Sequence, residues 1–366
     1  MYLNKQLMLI EESGIRKYKQ KAKELQLIDF TIGDTINDTS EEIKYAVIHD
    51  LVHNKTHYSL TQGDESVRNT ISNLHQNLNY SADEVLLTIG ATEGIYIALS
   101  TLLNVGDEVI LFKPYYSLYK NIVLKHGGKT IEIDALRRIN TEELKRKINS
   151  KTKAIILNVP SNPTGLLYLD KLDELIKLVK QNNVYLIIDA TYEDIVYDGL
   201  KVDYSNLLSI KEQLIIIKSL SKSHSMTGFR LGYVLTDQSL MKHLIIMHQM
   251  CVSCIPTMFS SAYKKALSED VADIKQEYEN KRNYVISVLD ETILKYIKPE
   301  GAFYVCIYVP SGLSSIKFVE ELMEKASVVC VPGRCFGDER IIRLSFSGDW
   351  NQLKRGMGNI KHLYGK

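Results

Sequence analysis

Short apolar segments alternate with longer amphipathic segments through the middle of the chain. Several short segments are rich in β-branched residues and apolar at consecutive positions, which is typical of strands covered by helices on both faces. Between two of them, at residues 170–182, apolar side chains recur at helical spacing. The alternation predicts βαβ units and a mostly parallel sheet. The predicted strands are residues 84–89, 108–113, 130–134, 153–159, 184–189 and 213–219.

A different pattern begins near residue 270, where a long charged helical segment is followed by shorter strands and helices. This change predicts a second, smaller domain of the α+β class. No linker rich in Gly, Ser or Pro separates the two patterns, so we expect the boundary to fall within a long helix. The predicted elements of this part are a strand at 302–309, a helix at 316–326, strands at 328–331 and 341–347, and a last helix from about Trp350.

Charge and cysteine content restrict the function classes. The 366 residues include 45 Lys and Arg and 44 Asp and Glu, so a net charge of +1 provides no field that would attract nucleic acid or an anionic membrane. Five cysteines, an odd number, indicate reduced thiols in a cytoplasmic protein. The N-terminal segment mixes charges into its apolar positions and lacks the core of a signal peptide. We therefore expect a cytoplasmic protein without nucleic-acid or membrane partners.

Familiar cofactor and metal motifs are absent from the sequence. The chain has no phosphate-binding P-loop, no dinucleotide-binding glycine motif, and neither G-x-S-x-G nor H-E-x-x-H. The nine histidines show no metal-ligand spacing. Cys251 and Cys254 have C-x-x-C spacing without a second pair, and we interpret them as buried thiols rather than as a metal or redox site. No metal site is expected.

Candidate chemistry lies in four polar segments that follow predicted strands, where open α/β sheets bind ligands. Residues 90–94 form either an anion pocket at a helix N-terminus or only a tight turn. Residues 160–165 present an asparagine in a turn fixed by two prolines, or form a plain turn. Asp189 is either a buried acid that needs a cationic partner or a helix N-cap. Lys222, with Arg230 eight positions later, is either a functional amine or an ordinary surface lysine.

Taken together, these segments resemble the class I and II aminotransferases, pyridoxal-phosphate enzymes of the aspartate aminotransferase fold. Residues 219–232, S-L-S-K-S-H-S-M-T-G-F-R-L-G, match the lysine signature of that family. The resemblance implies an α/β protein of PLP fold type I. It would have a three-layer α/β/α large domain with a mostly parallel sheet at residues 40–272, and a small α+β domain at residues 1–39 and 273–366. Further matching motifs are Gly33, His57-Tyr58, Gly63, Gly90-Ala91-Thr92, Pro114-Tyr115-Tyr116, Asn162-Pro163-Thr164-Gly165, Asp189 with Tyr192, Gly301-Ala302-Phe303-Tyr304, Pro332-Gly333 and Arg343.

The resemblance also implies a role for each site residue. Lys222 would bind the aldehyde of pyridoxal phosphate and then move the α-proton of the amino acid. Asp189 would keep the pyridine nitrogen of the cofactor protonated. Tyr116, with Tyr115 as the alternative, would stack on the cofactor ring. The remaining contacts would be Asn162 and Tyr192 at the ring 3-oxygen; Ala91, Thr92, Ser221, Arg230 and the partner subunit's Tyr58 at the phosphate; and Arg343, Asn162 and the Gly33 backbone at the substrate carboxylate.

These implied roles predict a homodimeric aminotransferase that exchanges an amino group between an amino acid and a 2-oxo acid by a ping-pong mechanism. Segments 222–228, 248–254 and 299–305 look most like the bacterial aminotransferase A branch, which implies N-acetyl-diaminopimelate or aromatic substrates. A pyridoxal-phosphate-dependent C–S lyase or another pyridoxal-phosphate enzyme of the same fold is the alternative, and a non-enzymatic regulatory protein on this fold is a more distant one.

Two segments depart from the family pattern. Residues 189–192 read D-A-T-Y where the family commonly has D-E-x-Y, so a carboxylate is lost but both cofactor-contacting positions remain. Residues 31–38 lack the usual proline-containing G-x-P-D turn. The entrance to the site near Gly33 is therefore expected to differ in shape from that of relatives.

Overall fold

The computed structural model of the chain describes residues 4–10 and 12–366. Within them the chain forms twelve α-helices and thirteen β-strands. The helices are α1 (Gly14–Glu24), α2 (Glu41–Val52), α3 (Glu65–Leu74), α4 (Gly90–Leu102), α5 (Leu118–Lys125), α6 (Thr141–Lys147), α7 (Leu172–Asn182), α8 (Gln238–Val252), α9 (Ser260–Ser268), α10 (Ala272–Asp290), α11 (Ser315–Ala326) and α12 (Trp350–Tyr364). The strands are β1 (Ile28–Asp29), β2 (Val85–Thr88), β3 (Glu108–Lys113), β4 (Lys129–Asp134), β5 (Thr152–Asn158), β6 (Tyr185–Asp189), β7 (Leu214–Ser219), β8 (Gly232–Thr236), β9 (Tyr296–Ile297), β10 (Tyr304–Tyr308), β11 (Val328–Val329), β12 (Val331–Pro332) and β13 (Ile341–Ser345).

Seven strands form the central sheet in the order β2-β8-β7-β6-β5-β3-β4. All pairings are parallel except those of β8, which runs antiparallel to both of its neighbours. The mostly parallel sheet and its six predicted strands are confirmed. The sequence prediction omitted β8, whose apolar core is only Tyr233–Leu235 between a glycine and a threonine. A run of three residues is too short to stand out by pattern alone.

Helices cover both faces of this sheet, which explains why its strands are apolar at consecutive positions. Ile187 and Ile215 pack into an apolar cluster with Ile97 of α4 and residues of α5 and α8. Their chain neighbours Ile188 and Ile216 point the other way, into a cluster that includes residues of α2, α3, α7 and α9. The predicted three-layer α/β/α arrangement is therefore present.

A second set of strands follows in the C-terminal part. The antiparallel order is β12-β13-β10-β9, and β1 pairs in parallel with β11. The predicted strand at 328–331 is two short strands, because residues 328 and 329 pair with β1 whereas residues 331 and 332 pair with β13. Tyr18 and Phe30 share an apolar cluster with Val305, Leu344 and Met357, so the N-terminal segment packs with the C-terminal part. The division at residues 40 and 273 stays a prediction.

The interpretation of the C-x-x-C segment as buried thiols is wrong. All five cysteines are free, with Cys251 exposed and Cys254 half-buried. The buried face of α8 ends at His248, so the last turn of this helix and the residues after it reach the surface.

Among the described residues, no single helix is both long enough and apolar enough to cross a membrane. One bent pair, Gln238–Val252 with Thr257–Ser268 at an angle of 115°, meets both criteria only when its two helices are taken together.

Candidate active site

A cavity of about 210 Å³ lies at the carboxyl ends of β5, β6 and β7. Parallel strands present their ends along one sheet edge, so segments distant in sequence meet there. The cavity brings together every predicted site residue except Tyr58: Gly33, Ala91, Thr92, Tyr116, Asn162, Asp189, Tyr192, Ser221, Lys222, Arg230 and Arg343. It is also lined by residues to which the sequence had assigned no role: Ile15, Ile95, Tyr119, Asn158, Thr191, Ser219 and Tyr304.

Lys222 lies in the turn that follows β7, and its amine points into the cavity. Its Nζ donates a hydrogen bond to the carbonyl oxygen of Gly33 at 2.6 Å. Burial lowers the pKa of this amine to about 8; Asp34 opposes the shift, and Arg230 and Arg343 add to it. At pH 7 about a tenth of Lys222 is therefore uncharged, the form in which an amine acts as a nucleophile or a base.

Asp189 ends β6 and is 4% exposed. The Tyr119 hydroxyl donates to its Oδ2 at 2.5 Å, and the Thr191 hydroxyl donates to its Oδ1 at 2.5 Å. Burial raises the pKa of this carboxyl group. Within residues 4–10 and 12–366 no cationic side chain forms an ion pair with it. A buried carboxylate held only by neutral donors is suited to receive a cationic group from a ligand.

One end of the cavity is suited to an anion. Gly90 opens α4 with φ +73°, and Ala91 and Thr92 in the first turn of this helix line the site. A Cβ atom on Gly90 would lie 2.7 Å from Nη2 of Arg230, so glycine is what allows this guanidinium to approach the helix N-terminus. The free amides, the helix dipole and the arginine together form a site for a phosphate-sized anion. Ser221 contributes a hydroxyl, which accepts a hydrogen bond from Ser219 at 2.9 Å.

The other end contains Arg343 of β13, which is 1% exposed. Its Nη1 donates to Asn162 Oδ1 at 2.9 Å and its Nη2 donates to the Thr31 carbonyl, while Nε is buried without a hydrogen-bond partner among the described residues. The guanidinium lies 4.2 Å from the centre of the Tyr304 ring, and the Tyr304 hydroxyl is 2.8 Å from that of Tyr192. A buried guanidinium bound only to neutral acceptors is a site for a carboxylate.

The structure distinguishes the two adjacent tyrosines. Tyr116 lines the cavity and meets the Tyr119 ring edge-on, with 5.7 Å between ring centres. Tyr115 instead donates to Glu132 at 2.5 Å, outside the cavity. Tyr119 lies in the first turn of α5, three positions after Tyr116, and no sequence motif marks it.

Tyr58 is not brought to the cavity. It is 89% exposed and borders a separate surface depression with His57 and Cys254. Its predicted contact belongs to a partner subunit, and it stays a prediction.

A partly buried amine, a buried carboxylate and anion sites at both ends define an enzyme site for an elongated ligand with acidic groups. The fold is shared with proteins of known activity. The family model for aminotransferase class I and II matches residues 26–360. The probable N-acetyl-LL-diaminopimelate aminotransferase of Bacillus subtilis is 32% identical, covering 98% of this chain and 95% of its own. Aromatic-amino-acid aminotransferase 2 of Thermococcus litoralis is 31% identical, covering 99% and 98%.

A solved structure of an aminotransferase has the same fold as this chain. Aspartate aminotransferase from Thermus thermophilus with maleate superposes with a TM-score of 0.95 at 26% identity, covering 99% of this chain and 100% of that chain. The chain belongs to the class I and II aminotransferases, as its sequence motifs predicted. It is therefore a pyridoxal-phosphate-dependent transferase that acts on amino acids and 2-oxo acids.

The residues of the cavity fit this cofactor. The unpaired Asp189 carboxylate matches a protonated pyridine nitrogen, and the Lys222 amine matches the aldehyde. The space kept open by Gly90 beside Arg230 matches the phosphate.

The contribution of Asp34 to the Lys222 amine can be measured. Because the Asp34 carboxylate raises the pKa of Lys222, Asp34→Asn should lower that pKa below about 8. The fraction of neutral amine at pH 7 should then rise roughly two- to fivefold. The pH dependence of Lys222 labelling by a small amine-reactive reagent, in cofactor-free protein, measures this. Asp38→Asn in the same loop is the matched control, and an unchanged or raised pKa in Asp34→Asn would contradict the interpretation.

Proposed function

We propose that this aminotransferase works by a ping-pong exchange in which Lys222 is the catalytic residue. The observation that carries the proposal is the position of its amine, in one cavity with the Asp189 carboxylate and with an anion site at each end. Burial keeps the pKa of Lys222 at about 8, so the amine can give up and take up a proton near neutral pH. The Gly33 carbonyl, 2.6 Å from Nζ, orients it.

Pyridoxal phosphate, when bound, supplies an electron sink for the charge that develops at the substrate α-carbon. Asp189 would hold a proton at the ring nitrogen, and Tyr119 and Thr191 fix the carboxylate for that task. Asn162 and Tyr192 would hydrogen-bond the ring 3-oxygen, and both side chains line the cavity. The Tyr116 ring would restrain the face of the cofactor.

The two anion sites would have separate tasks. The amides of Ala91 and Thr92, the Ser221 hydroxyl and Arg230 would bind the cofactor phosphate. Arg343 would bind the substrate α-carboxylate, because its planar fork can pair with both oxygens. Asn162 and the Gly33 backbone border the same space and would assist.

For the substrate, the lining favours an aromatic side chain. Ile15, Tyr116 and Tyr304 offer apolar surface. The cationic side chains that line the cavity in the described part of the chain are Lys222, Arg230 and Arg343, and all three have tasks already. A second carboxylate on the substrate would therefore lack a partner among the side chains that line the cavity. Relatives are named for both substrates predicted from the sequence, and the lining favours the aromatic one because N-acetyl-LL-diaminopimelate carries a second carboxylate.

The proposal includes a cytoplasmic homodimer. Free cysteines suit a reducing compartment. Ile48 and Val52 on α2, Tyr58 and Leu60 after it, and Met250 on α8 are exposed in the single chain, and exposed apolar side chains favour association. In the dimer, the Tyr58 hydroxyl of each protomer would reach the phosphate in the site of the other.

A panel of amino donors tests the substrate and the reaction together. Aromatic amino acids should show a kcat/KM roughly tenfold or more above that of aspartate, with release of the matching 2-oxo acid. Borohydride should fix the bound cofactor to Lys222, as located by peptide mass spectrometry. Lys222→Ala should lower turnover by at least ~10²–10⁴. A preference for aspartate would overturn the substrate assignment, whereas retained turnover in Lys222→Ala would overturn its role.

The role of Arg343 predicts a selective defect. Arg343→Lys keeps the charge but loses the bidentate fork, so KM for the amino acid should rise about tenfold or more. Steady-state kinetics at saturating cofactor measures this. Arg340→Lys is the matched control, since Arg340 pairs with Asp134 and Asp338 outside the cavity. Equal effects of the two substitutions would sink the assignment.

Subunit mixing tests the position of Tyr58. Sedimentation should give a particle of twice the 41.7 kDa chain mass. Tyr58→Ala should weaken cofactor binding, and heterodimers of Tyr58→Ala with Lys222→Ala should recover one intact site, because Lys222 and Tyr58 of that site come from different protomers. A monomer, or heterodimers without recovery, would count against a shared site.

A further inference from the structure

We propose that Glu93 and His248 are positioning residues that hold the turn presenting the Ala91 and Thr92 amides to the cofactor phosphate. The inference rests on the phosphate site proposed above and extends it to two side chains that do not line the cavity. Neither residue was singled out for a role by the sequence motifs.

Glu93 folds back onto the start of its own helix. Its Oε2 accepts a hydrogen bond from the backbone N–H of Ile89 at 2.6 Å. Ile89 is the residue between β2 and Gly90, so this bond fixes the chain where it leaves the strand and enters the left-handed conformation of Gly90. The first amides of a helix lack carbonyl partners within the helix, and their direction follows the conformation of this turn.

His248 holds the Glu93 carboxylate from the other side. This histidine is fully buried on α8, and its Nδ1 lies 2.8 Å from Oε1 of Glu93. An ionised carboxylate only accepts hydrogen bonds, so Nδ1 carries the proton and donates. Nε2 of His248 is buried with no hydrogen-bond partner in the described chain, which leaves Glu93 as the hydrogen-bond partner of this ring.

The two hydrogen bonds of Glu93 also affect the electrostatics of the phosphate site. A glutamate in the first turn of a helix is attracted to the same free amides that an anion would use. Here one carboxylate oxygen accepts from the N–H of Ile89, the N-cap residue of α4, and the other is held by His248, so neither oxygen accepts from the amides of Ala91 or Thr92. The amides of Ala91 and Thr92 are thereby left for the phosphate.

If Glu93 and His248 served only to join α8 to α4, their loss would have a different effect from the loss of positioning residues. Loss of a structural contact would weaken the binding of any ligand in the cavity. Loss of a positioning contact for the phosphate would weaken pyridoxal 5′-phosphate and leave pyridoxal, which lacks the phosphate, almost unaffected. The ratio of the two dissociation constants therefore separates the roles.

The test reconstitutes the full-length protein with each of these two compounds. Glu93→Ala should raise the Kd of pyridoxal 5′-phosphate about tenfold or more and that of pyridoxal less than about twofold. Glu93→Gln should restore most of the affinity, because its amide oxygen still accepts from Ile89 N–H. His248→Ala should raise the ratio of the two dissociation constants, pyridoxal 5′-phosphate to pyridoxal, about threefold. In the double variant with Glu93→Ala it should add little further change, because His248 acts through Glu93. The ³¹P resonance of the bound cofactor should move toward that of the free compound in the same order.

Ser100→Ala is the matched control, because it removes the 2.8 Å contact of Ser100 with His126 at the other end of α4. If Glu93→Ala does not fold, the two histidine variants His248→Ala and His248→Gln provide the same ratio. An unchanged ratio in these variants, or equal losses for both compounds, would overturn the positioning role. Equal affinity of the unaltered protein for both compounds would instead overturn the proposed phosphate site, so the two failures are distinguishable.

Discussion

The active-site cavity depends on charges that the chain buries without pairing them to each other. Asp189 and Arg343 are both almost fully buried, yet their hydrogen-bond partners are neutral hydroxyl, amide and carbonyl groups. Removing a charge from water costs free energy unless an opposite charge or several hydrogen bonds replace the solvent. The chain provides the hydrogen bonds and leaves the opposite charges to the ligands. Cofactor and substrate binding would therefore stabilise the folded protein as well as enable its chemistry.

The geometry of the sheet makes this possible. β5, β6 and β7 are parallel and end at the same edge, so Asn158, Asp189 and Ser219 are neighbours although they are far apart in sequence. Asn158 donates to the Asp189 carbonyl at 2.9 Å and accepts from the Asn162 amide at 2.6 Å. Adjacent strand ends are thus linked by side chains before any ligand is considered. The bulky aliphatic layers on both faces hold the strand ends in place, which gives the charged groups a rigid support.

Sequence motifs predicted the residues that act on ligands better than those that support them. Lys222, Asp189 and Arg343 stand within matched motifs, and the cavity contains all three. Tyr119 and Asn158 act on Asp189, but a tyrosine on a helix and an asparagine at a strand end are common residues with no distinctive spacing. Their roles arise only from packing, which a linear pattern does not encode. The short strand β8 is a similar case, because its pairing with β2 and β7 defines it as a strand although its apolar run is short. Cys251 is another, because its exposure depends on where α8 leaves the core.

The entrance segment at residues 31–38 illustrates how side-chain contacts can replace a missing proline. A proline restricts the backbone of a turn directly. This chain has none there, and Asn37 instead donates its amide to Glu277 at 2.6 Å, while Glu277 also pairs with the buried Lys281 at 2.8 Å. Lys281 is fully buried on α10, so the anchor of the loop is part of the core rather than of the surface. The carbonyl of Gly33 then meets the Lys222 amine at 2.6 Å although its segment contains no proline. The contact with α10, more than two hundred residues away, therefore adds to the hydrogen bonds that the loop carbonyls of Thr31 and Gly33 accept from Arg343 and Lys222, and together these contacts compensate for the departure from the family turn.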